Sequence, residues 1–309
     1  MKDIFLLTGA TGFIGSFLLT AMIKRGDAVV VVTRENSNLS RISEIANHPN
    51  VFIIHDSAAE IKTAIIRHKV SCVLHLAARY IKRHQTVAEL EDLLQSNLVF
   101  PAKILEIMKE TGVKKIITAG SFFEYDLAKK ITLTEQSDIK PYNLYALTKV
   151  LFQAMVNQYV ENEGFKNVHL RLFAPYGPKD NEKLISFLIK SFINKTPVHL
   201  TPSEQQWNFT YVDDIVEAFL LAIDYCNKQK NDAEVFNIGQ PTAVSIHAIV
   251  AELEALLGVK NLVVYDKPYP PDEIFYAACD GIKARDLLGW QAKTSISAGL
   301  KKTVAYFNN

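Results

Sequence analysis

Two side chains in the segment YALTK are spaced to do proton chemistry together. Tyr145 and Lys149 lie four residues apart, and an α-helix places residues at that spacing on one face. A phenol has an ordinary pKa of about 10 and is a poor acid or base at neutral pH. A neighbouring ammonium group stabilises the phenolate, so we expect Lys149 to bring the pKa of Tyr145 closer to the working range.

A glycine-rich segment, TGATGFIG at 8–15, lies between the first predicted strand and the first predicted helix. In such a turn the first glycine permits the tight bend, the second lets the backbone approach a pyrophosphate, and the third lets helix and strand pack closely. Exposed amides and the helix dipole then hold the anion. The loop residues expected to bind a dinucleotide are Gly9, Thr11, Gly12, Phe13, Ile14 and Gly15.

The end of the second strand bears on which dinucleotide is bound. A carboxylate at this position typically contacts the adenine-ribose hydroxyls of NAD, whereas an arginine suits the 2′-phosphate of NADP. Arg34 stands here, so the sequence favours NADP (as NADPH) over NAD. Glu35 could reverse that preference by turning inward, and a solvated surface arginine is the alternative interpretation of Arg34.

These residues need a scaffold of alternating strands and helices. Near-continuous apolar runs suit parallel strands buried on both faces. The predicted strands are Ile4–Thr8, Ala28–Thr33, Val51–Ile54, Cys72–Ala77, Lys115–Ala119, Val168–Phe173, Phe209–Val212 and Glu234–Ile238. The predicted helices are Ile14–Arg25, Ala58–Arg67, Leu90–Glu110, Tyr145–Glu163 and Glu182–Asn194.

The alternation indicates an α/β fold, a doubly wound parallel (Rossmann) sheet with a smaller C-terminal substrate-binding lobe. We expect a dinucleotide-binding domain over 1–174, to which 208–236 return. The lobe would comprise 175–207 and 237–309, and we expect it over the strand ends, where ligands bind in such sheets.

Composition excludes several classes of function. The chain has 309 residues and a formal net charge of +1, without a basic cluster for nucleic acid. No apolar stretch is long enough to span a membrane, and no signal peptide is indicated. Three scattered cysteines fit a reducing compartment, and no Cys/His cluster has metal-ligand spacing. We therefore expect a cytoplasmic enzyme without a bound metal.

Two helices carry more apolar residues than one buried face requires. In 145–163 one stripe covers the sheet and a second stripe is left over, and 90–110 has a similar excess. We expect a homodimer through these two helices. Burial under the smaller lobe is the alternative.

The chain resembles the extended short-chain dehydrogenase/reductase family, the NAD(P)-dependent epimerases and dehydratases of nucleotide sugars. The motifs that carry the resemblance are TGATGFIG at 8–15, HLAAR at 75–79, GSFFEY at 120–125, YALTK at 145–149, RLFAPYGP at 171–178, FTYVDD at 209–214, FNIG at 236–239 and LLGW at 287–290.

The resemblance implies roles for individual residues. Ser121 matches the catalytic Ser/Thr that hydrogen-bonds the substrate oxygen on which Tyr145 acts, and Lys149 would also hold the nicotinamide ribose. Further cofactor contacts are implied for Asp56, Ser57, Ala77, Ala78, Arg79, Asn97 and Phe173. Asp213 and Asp214 look structural, as caps of a helix that begins near Ile215.

Three positions depart from the family pattern. Ala174 stands where the family usually has Asn, while Trp207 and Tyr269 stand where it usually has arginines for the diphosphate of the sugar nucleotide. Lys183 is one candidate replacement. Trp207 and Tyr269 could stack on a base or sugar, or pack in the core. The other residues expected to line the substrate pocket are Tyr80, Phe122 and Phe123.

Three functions fit these residues. The first is NADPH-dependent reduction of the C4 keto group of a nucleotide-linked 4-keto-6-deoxy sugar, because Arg34 favours NADPH and GSFFEY and RLFAPYGP are similar to the CDP-abequose and CDP-paratose synthases. The second is an NAD-dependent nucleotide-sugar 4-epimerase, which Ser121, Tyr145 and Lys149 equally permit. The third is a non-catalytic NADP-binding sensor or scaffold.

Overall fold

The apolar runs of the sequence form a large central sheet. The computed structural model describes residues 3–181, 183–228 and 232–308. Its strands are β1 (Ile4–Thr8), β2 (Ala28–Thr33), β3 (Val51–His55), β4 (Cys72–His75), β5 (Lys115–Ser121), β6 (Thr132–Leu133), β7 (Lys166–Leu172), β8 (Pro175–Tyr176), β9 (Val198–Leu200), β10 (Gln206–Trp207), β11 (Thr210–Tyr211), β12 (Ala233–Ile238), β13 (Val244–Ser245), β14 (Val263–Tyr265) and β15 (Tyr276–Cys279).

Seven of these strands form one sheet in the order β12-β7-β5-β4-β1-β2-β3. β1 pairs in parallel with β2 and with β4, so Phe5 lies opposite Val29 on one side and Cys72 on the other. The direction of strand addition reverses between β1 and β4, and ligands bind at such switch points. The predicted Rossmann-like fold is confirmed.

The helices are α1 (Phe13–Arg25), α2 (Ala58–His68), α3 (Val87–Leu94), α4 (Phe100–Thr111), α5 (Leu144–Glu163), α6 (Leu184–Ile193), α7 (Val212–Lys228), α8 (Ile246–Leu257) and α9 (Ile296–Phe307). Local sequence signals set several of their ends. The Asn143 side chain accepts a hydrogen bond from the Ala146 N–H and so caps α5, while Gly164 ends it in the left-handed conformation. The expected helix 182–194 begins in the structure at Leu184, and Glu182 lies outside the described residues.

The helix expected over 90–110 is divided. A π-helical segment, Gln95–Val99, separates α3 from α4. Pro101 explains the change, because it has no N–H to donate to the carbonyl four residues earlier and its ring crowds that carbonyl. The segment carries the buried Asn97, which lies beside the candidate site.

The core of this region packs between the sheet and α2, α4 and α5. The fully buried Leu6, Val30, Val73 and Ile116 contribute from the strands. The helices add Ile104, Leu105, Met108, Phe152 and Val156. These helices are therefore fixed to the sheet by apolar burial, which positions the polar residues at their ends.

The chain groups into two compact units. The first comprises residues 1–124, 139–171 and 216–236, and the second 125–138, 172–215 and 237–309. The second unit contains a four-stranded sheet, β13-β10-β15-β6, and two short strand pairs. Residues 125–138 and 208–215 thus group with the second unit rather than the first. Compactness does not show which residues fold as a domain, so the expected domain bounds stay a prediction.

The helix that carries Asp213 and Asp214 begins three residues earlier than the expected start near Ile215. That helix, α7, begins at Val212, which places both carboxylates in its first turn. The Asp214 side chain accepts hydrogen bonds from the N–H and hydroxyl of Thr294, at 3.0 and 3.1 Å. Asp214 therefore holds the segment before α9 in place.

Two features are absent from residues 3–181, 183–228 and 232–308. No helix in these ranges is both long and apolar enough to cross a membrane. No group of three His, Cys, Asp or Glu side chains in them is arranged to hold a metal ion.

Candidate active site

The glycine loop is built on two close backbone contacts. Gly9 has a φ of +76°, and a Cβ there would lie 2.6 Å from the backbone nitrogen of Ala77. A Cβ on Gly15 would lie 2.1 Å from the Gly9 carbonyl oxygen. A Cβ on Gly12 would lie 3.1 Å from that oxygen, which is a close contact but a looser one than at Gly9 or Gly15. The loop thus packs tightly against the segment that follows β4.

Side chains at the ends of β2 and β3 lie beside this loop. Arg34 and Glu35 are exposed directly after β2. Arg41, in a short 3-10 turn, donates from Nη1 to the Thr11 carbonyl of the loop at 3.4 Å. Ser57 caps α2 by accepting from the Glu60 N–H, so its hydroxyl already has a structural role.

The segment after β4 is tied to the π-helical segment and to α5. The Asn97 side chain accepts from the Arg79 N–H at 2.7 Å and donates to the Arg79 carbonyl at 3.0 Å. It also donates to the Thr148 hydroxyl at 3.0 Å. The Arg79 side chain pairs with Asp92 at 2.8 Å. Asn97 therefore positions the backbone near the glycine loop through three hydrogen bonds to protein groups.

Tyr145 and Lys149 share a face of α5, as their spacing predicts. The Lys149 ammonium lies 5.8 Å from the centroid of the Tyr145 ring and donates to the Ala119 carbonyl on β5 at 2.9 Å. Tyr80 meets the ring of Tyr145 edge-on, with centroids 4.9 Å apart. The Lys149 contact places both residues near the carboxyl end of β5, where Ser121 lies.

Burial and the charge of one neighbour act on the pKa values of this pair. Burial raises the pKa of Tyr145, and the negative charge of Glu124 raises it further. Burial lowers the pKa of Lys149 to about 8, although the Glu124 charge opposes that change. The neighbouring ammonium therefore does not bring the Tyr145 pKa down in the structure. Burial and the Glu124 charge both favour the neutral phenol over the phenolate.

Ser121 is held at two of its atoms. Its N–H donates to Oε1 of Glu124 at 2.7 Å, and its hydroxyl oxygen accepts from the Phe123 N–H at 3.2 Å. Phe122 is buried, and its ring lies 4.2 Å from that of Phe123 between centroids. Phe123 in turn stacks on Tyr142 at 5.4 Å.

Glu124 is a fully buried carboxylate that the sequence interpretation missed. Its Oε2 accepts from Nε of Arg171 at 2.8 Å and contacts Nε2 of His169 at 3.3 Å. Burial alone would raise the pKa of Glu124, but His169 and Arg171 lower it to about 2. A signal for this cluster exists in the sequence, because His169 and Arg171 alternate along an otherwise apolar strand and so share one face.

Five further predicted residues belong to the second unit. Phe173 is buried and donates its N–H to the Ile238 carbonyl at 2.9 Å. Ala174 has a φ of +27°, a conformation that disfavours an alanine. Lys183 precedes α6 and lies 3.7 Å from Asp180.

The two aromatic residues that replace the expected arginines pack beside the same strand. Trp207 donates from its indole nitrogen to the Ile274 carbonyl at 2.9 Å. The Tyr269 hydroxyl accepts from the Glu204 N–H at 3.1 Å, and its ring packs on Phe275 at 4.8 Å. Both polar groups therefore have protein partners, which favours a packing role for these rings.

The glycine loop fits a nicotinamide dinucleotide. Two of its glycines are demanded by backbone approach, and the loop leads into α1, whose first-turn amides can hold a diphosphate. Ser121 ends β5, which only β4 separates from β1 in the sheet, and Lys149 contacts Ala119 on that strand. Tyr145, on the same face of α5, is the proton donor that a nicotinamide would need there.

Comparison with known proteins agrees with this geometry. The model of the NAD dependent epimerase/dehydratase family matches residues 5–239. The UDP-glucuronate 4-epimerase of Thermodesulfobacterium geofontis is 29% identical over 315 residues, covering 97% of this chain and 94% of that protein. The structure of the UDP-glucuronic acid 4-epimerase from Bacillus cereus, in complex with UDP-glucuronic acid and NAD, is 25% identical, has a TM-score of 0.88 and covers 99% of both chains. The dTDP-4-dehydro-6-deoxyglucose reductase of Escherichia coli is 23% identical over 317 residues, covering 98% of this chain and 97% of that protein.

Proposed function

The chain belongs to the NAD dependent epimerase/dehydratase family, and on that premise we propose that it catalyses hydride transfer at C4 of the hexose of a sugar nucleotide. The observation that carries the proposal is the hydrogen bond from Lys149, which shares a helix face with Tyr145, to the Ala119 carbonyl two residues before Ser121 on β5. The family acts on sugar nucleotides, which supports the substrate class.

Each of the three residues has its own chemical role in the proposed reaction. A bound nicotinamide dinucleotide would supply the hydride acceptor and donor. Tyr145 exchanges a proton with the sugar oxygen at C4, and the Ser121 hydroxyl donates a hydrogen bond to the same oxygen. The Phe123 N–H already occupies one lone pair of the Ser121 oxygen, which leaves the hydroxyl hydrogen to point at substrate. Lys149 stabilises negative charge that develops on the phenol.

The first candidate reaction is 4-epimerisation, in which the same carbon is oxidised and then reduced with retained NAD. Relatives named UDP-glucuronate 4-epimerase support it, and a solved relative of this name was in complex with NAD. Ser121, Tyr145 and Lys149 suit both halves of that reaction.

The second candidate is reduction of a nucleotide-linked 4-keto-6-deoxy sugar by NADPH. Two observations favour it. Arg34 is exposed at the end of β2 and Arg41 contacts the glycine loop, so both are close to where a 2′-phosphate would lie. The named reductase relative is compatible with this candidate; the likeness to CDP-abequose and CDP-paratose synthases stays a prediction.

One experiment separates the candidates. The protein is purified, any bound nucleotide is identified by mass, and NADPH and NADH are titrated separately by fluorescence. It is then incubated with UDP-glucuronic acid, UDP-glucose and a nucleotide-linked 4-keto-6-deoxyglucose. Retained NAD with formation of the 4-epimer supports epimerisation, whereas exchangeable NADPH consumed by the keto sugar supports reduction. Dinucleotide binding without turnover of any of the three would favour the sensor or scaffold.

The remaining sequence expectations are part of this proposal. Asp56, Ala77, Ala78, Arg79 and Tyr80 are proposed to border the bound cofactor or substrate. The three cysteines, Cys72, Cys226 and Cys279, are buried free thiols, which suits the proposed cytoplasmic location.

We also propose a homodimer through the helices expected from the sequence. A groove of about 670 Å³ runs along α2, α4 and α5 and is lined by Leu98, Val99 and Met155 among others. Leu151 is 44% exposed on α5. A second copy would bury these apolar side chains. Leu151→Glu is expected to yield a monomer in sedimentation velocity. Leu287→Glu, at a leucine of the second unit that is 54% exposed, should leave the dimer intact. A dimer that survives Leu151→Glu would refute the interface.

A further inference from the structure

Three donors converge on the carboxylate of Glu124. They are the Ser121 N–H at 2.7 Å, Nε of Arg171 at 2.8 Å and Nε2 of His169 at 3.3 Å. An ionised carboxylate is an acceptor only and satisfies several donors at once. The side chain is completely buried, so water does not share these contacts. Neither Glu124 nor its two partners on β7 has a role in the proposed hydride transfer.

The tautomer of His169 follows from its neighbours. Burial lowers the pKa of His169, so the ring is neutral at pH 7. Its Nε2 faces Glu124 and therefore carries the hydrogen, which leaves Nδ1 to accept from the Thr118 hydroxyl at 2.8 Å. A chain of hydrogen bonds thus runs from Thr118 through His169 and Glu124 to the backbone of Ser121. Both of its ends lie on β5.

The backbone of β5 is shaped to admit this chain. A Cβ on Gly120 would lie 2.3 Å from Nε2 of His169 and 2.6 Å from Oε1 of Glu124. Both neighbouring side chains are locked by hydrogen bonds, so they could not move aside without breaking them. Glycine at 120 lets the carboxylate reach the Ser121 N–H.

We propose that Glu124, held between His169 and Arg171, is a positioning residue that fixes Ser121 for hydrogen bonding to substrate. The inference rests on the proposed role of Ser121 in hydride transfer at C4. The carboxylate clamps the Ser121 backbone, while the short turn that carries Glu124 also presents the Phe123 N–H to the serine hydroxyl. Ser121 is therefore fixed before substrate arrives, which is the condition for efficient stabilisation of a developing charge.

The same carboxylate is a buried negative charge that acts on Lys149. The groups that face Lys149 are Tyr145 on α5, His75 on β4, His169 on β7 and Glu124. The two histidines are neutral at pH 7, because burial lowers the pKa of each. Glu124 is thus the ionised group that favours the charged form of Lys149.

Two isosteric double variants test the positioning role. Removal of Glu124 alone would leave the Arg171 charge buried without its partner and could unfold the protein. Glu124→Gln with Arg171→Leu keeps an acceptor for the Ser121 N–H, whereas Glu124→Met with Arg171→Leu does not. Both lack the charge pair and have nearly the same volume. Asp214→Asn, which neutralises a buried carboxylate bound to Thr294, is the control for a general loss of stability.

We expect kcat for C4 hydride transfer to be about 10- to 100-fold lower in the Met double variant than in the Gln double variant, a range typical of losing a positioning hydrogen bond. KM and the Kd for the dinucleotide should differ less than threefold between the two. Equal kcat values would overturn the proposal, as would equal losses in kcat and dinucleotide affinity.

A second measurement needs no turnover. Hydrogen exchange of the Ser121 amide should be at least about tenfold faster in the Met variant than in the Gln variant, because a hydrogen-bonded amide exchanges only after local opening. Equal protection would overturn the clamp. If the wild-type protein turns over no sugar nucleotide but the exchange difference is present, the clamp stands and the proposed function fails.

Discussion

A single added methyl group tests whether the glycine loop packs as the structure has it. Gly9 and Gly112 have almost the same positive φ, +76° and +77°. A Cβ on Gly112 would meet nothing within 4 Å, whereas on Gly9 it would lie 2.6 to 2.9 Å from three backbone atoms of Leu76 and Ala77. Alanine at the two positions therefore carries the same conformational penalty, and only Gly9→Ala adds a clash.

The magnitudes follow from this difference. The left-handed conformation costs an alanine about 1–2 kcal/mol, partly offset by about 0.4–1 kcal/mol from the less flexible unfolded chain. Gly112→Ala should thus lower the free energy of unfolding by about 0.5–1.5 kcal/mol. Gly9→Ala should lower it by about 1–3 kcal/mol more, because overpacking displaces backbone that cannot rotate away.

The assay is urea unfolding followed by circular dichroism, with dinucleotide titration of each variant at low urea. Gly9→Ala should also weaken dinucleotide binding at least about tenfold, since a backbone shift of a few tenths of an ångström misplaces the loop amides. Gly112→Ala should leave that affinity unchanged. Equal effects of the two substitutions on stability, or intact binding in Gly9→Ala, would refute the close packing of the loop against the strand ends.

Four further predictions concern single residues. Tyr145→Phe should leave dinucleotide affinity nearly unchanged while lowering kcat about 10²- to 10⁴-fold, and near-normal turnover would refute its proton-transfer role. Arg34→Ala should weaken NADPH about 10- to 100-fold more than NADH in a fluorescence titration if Arg34 contacts a 2′-phosphate, and equal losses would exclude that contact. Ala174→Gly should raise the free energy of unfolding by about 0.5–2 kcal/mol. Glycine relieves about 1–3 kcal/mol of strain from the left-handed backbone, while the more flexible unfolded chain offsets about 0.4–1 kcal/mol of that gain. A lower urea midpoint than that of the wild type would show that Ala174 is not strained. Burial and the charge of Lys149 lower the pKa of His75 to about 3. Below pH 6.5 the unfolded chain therefore binds more protons than the folded protein, and the free energy of unfolding falls as the pH falls. Between pH 7 and pH 5 the free energy of unfolding, measured in urea, should fall by about 2 kcal/mol less in His75→Gln than in the wild type.

The sheet was predictable because the strands of a parallel sheet, buried on both faces, have nearly continuous apolar sequences. β1 and β2 begin and end where the sequence places them. β4 ends at His75, two residues earlier than expected. Leu76 and Ala77 are apolar, but they leave the sheet to pack against the glycine loop. Apolar character predicts burial there and does not tell a strand from a loop that a neighbouring segment covers.

The site was predictable where a local motif defines it. The glycine loop and the spacing of Tyr145 and Lys149 are contained in short segments, so one helical turn or one bend suffices to place them. Glu124 was missed because its partners lie on a strand more than forty residues later in the chain, and the motif directs attention to Ser121. Only the pairing of distant elements shows which buried charges meet.

The proton affinity of Tyr145 shows why a motif alone does not give the direction of a reaction. The sequence places an ammonium beside the phenol, which by itself would favour phenolate. In the structure Lys149 is directed to the Ala119 carbonyl, and burial and the Glu124 charge raise the pKa of the phenol. Donation to a ketone and abstraction from an alcohol both require the phenol to change its protonation state, so the raised pKa does not select one direction of reaction. The positive charge of a bound oxidised nicotinamide would act on the same phenol, so the direction of the reaction depends on the cofactor as well as on the Tyr145–Lys149 motif.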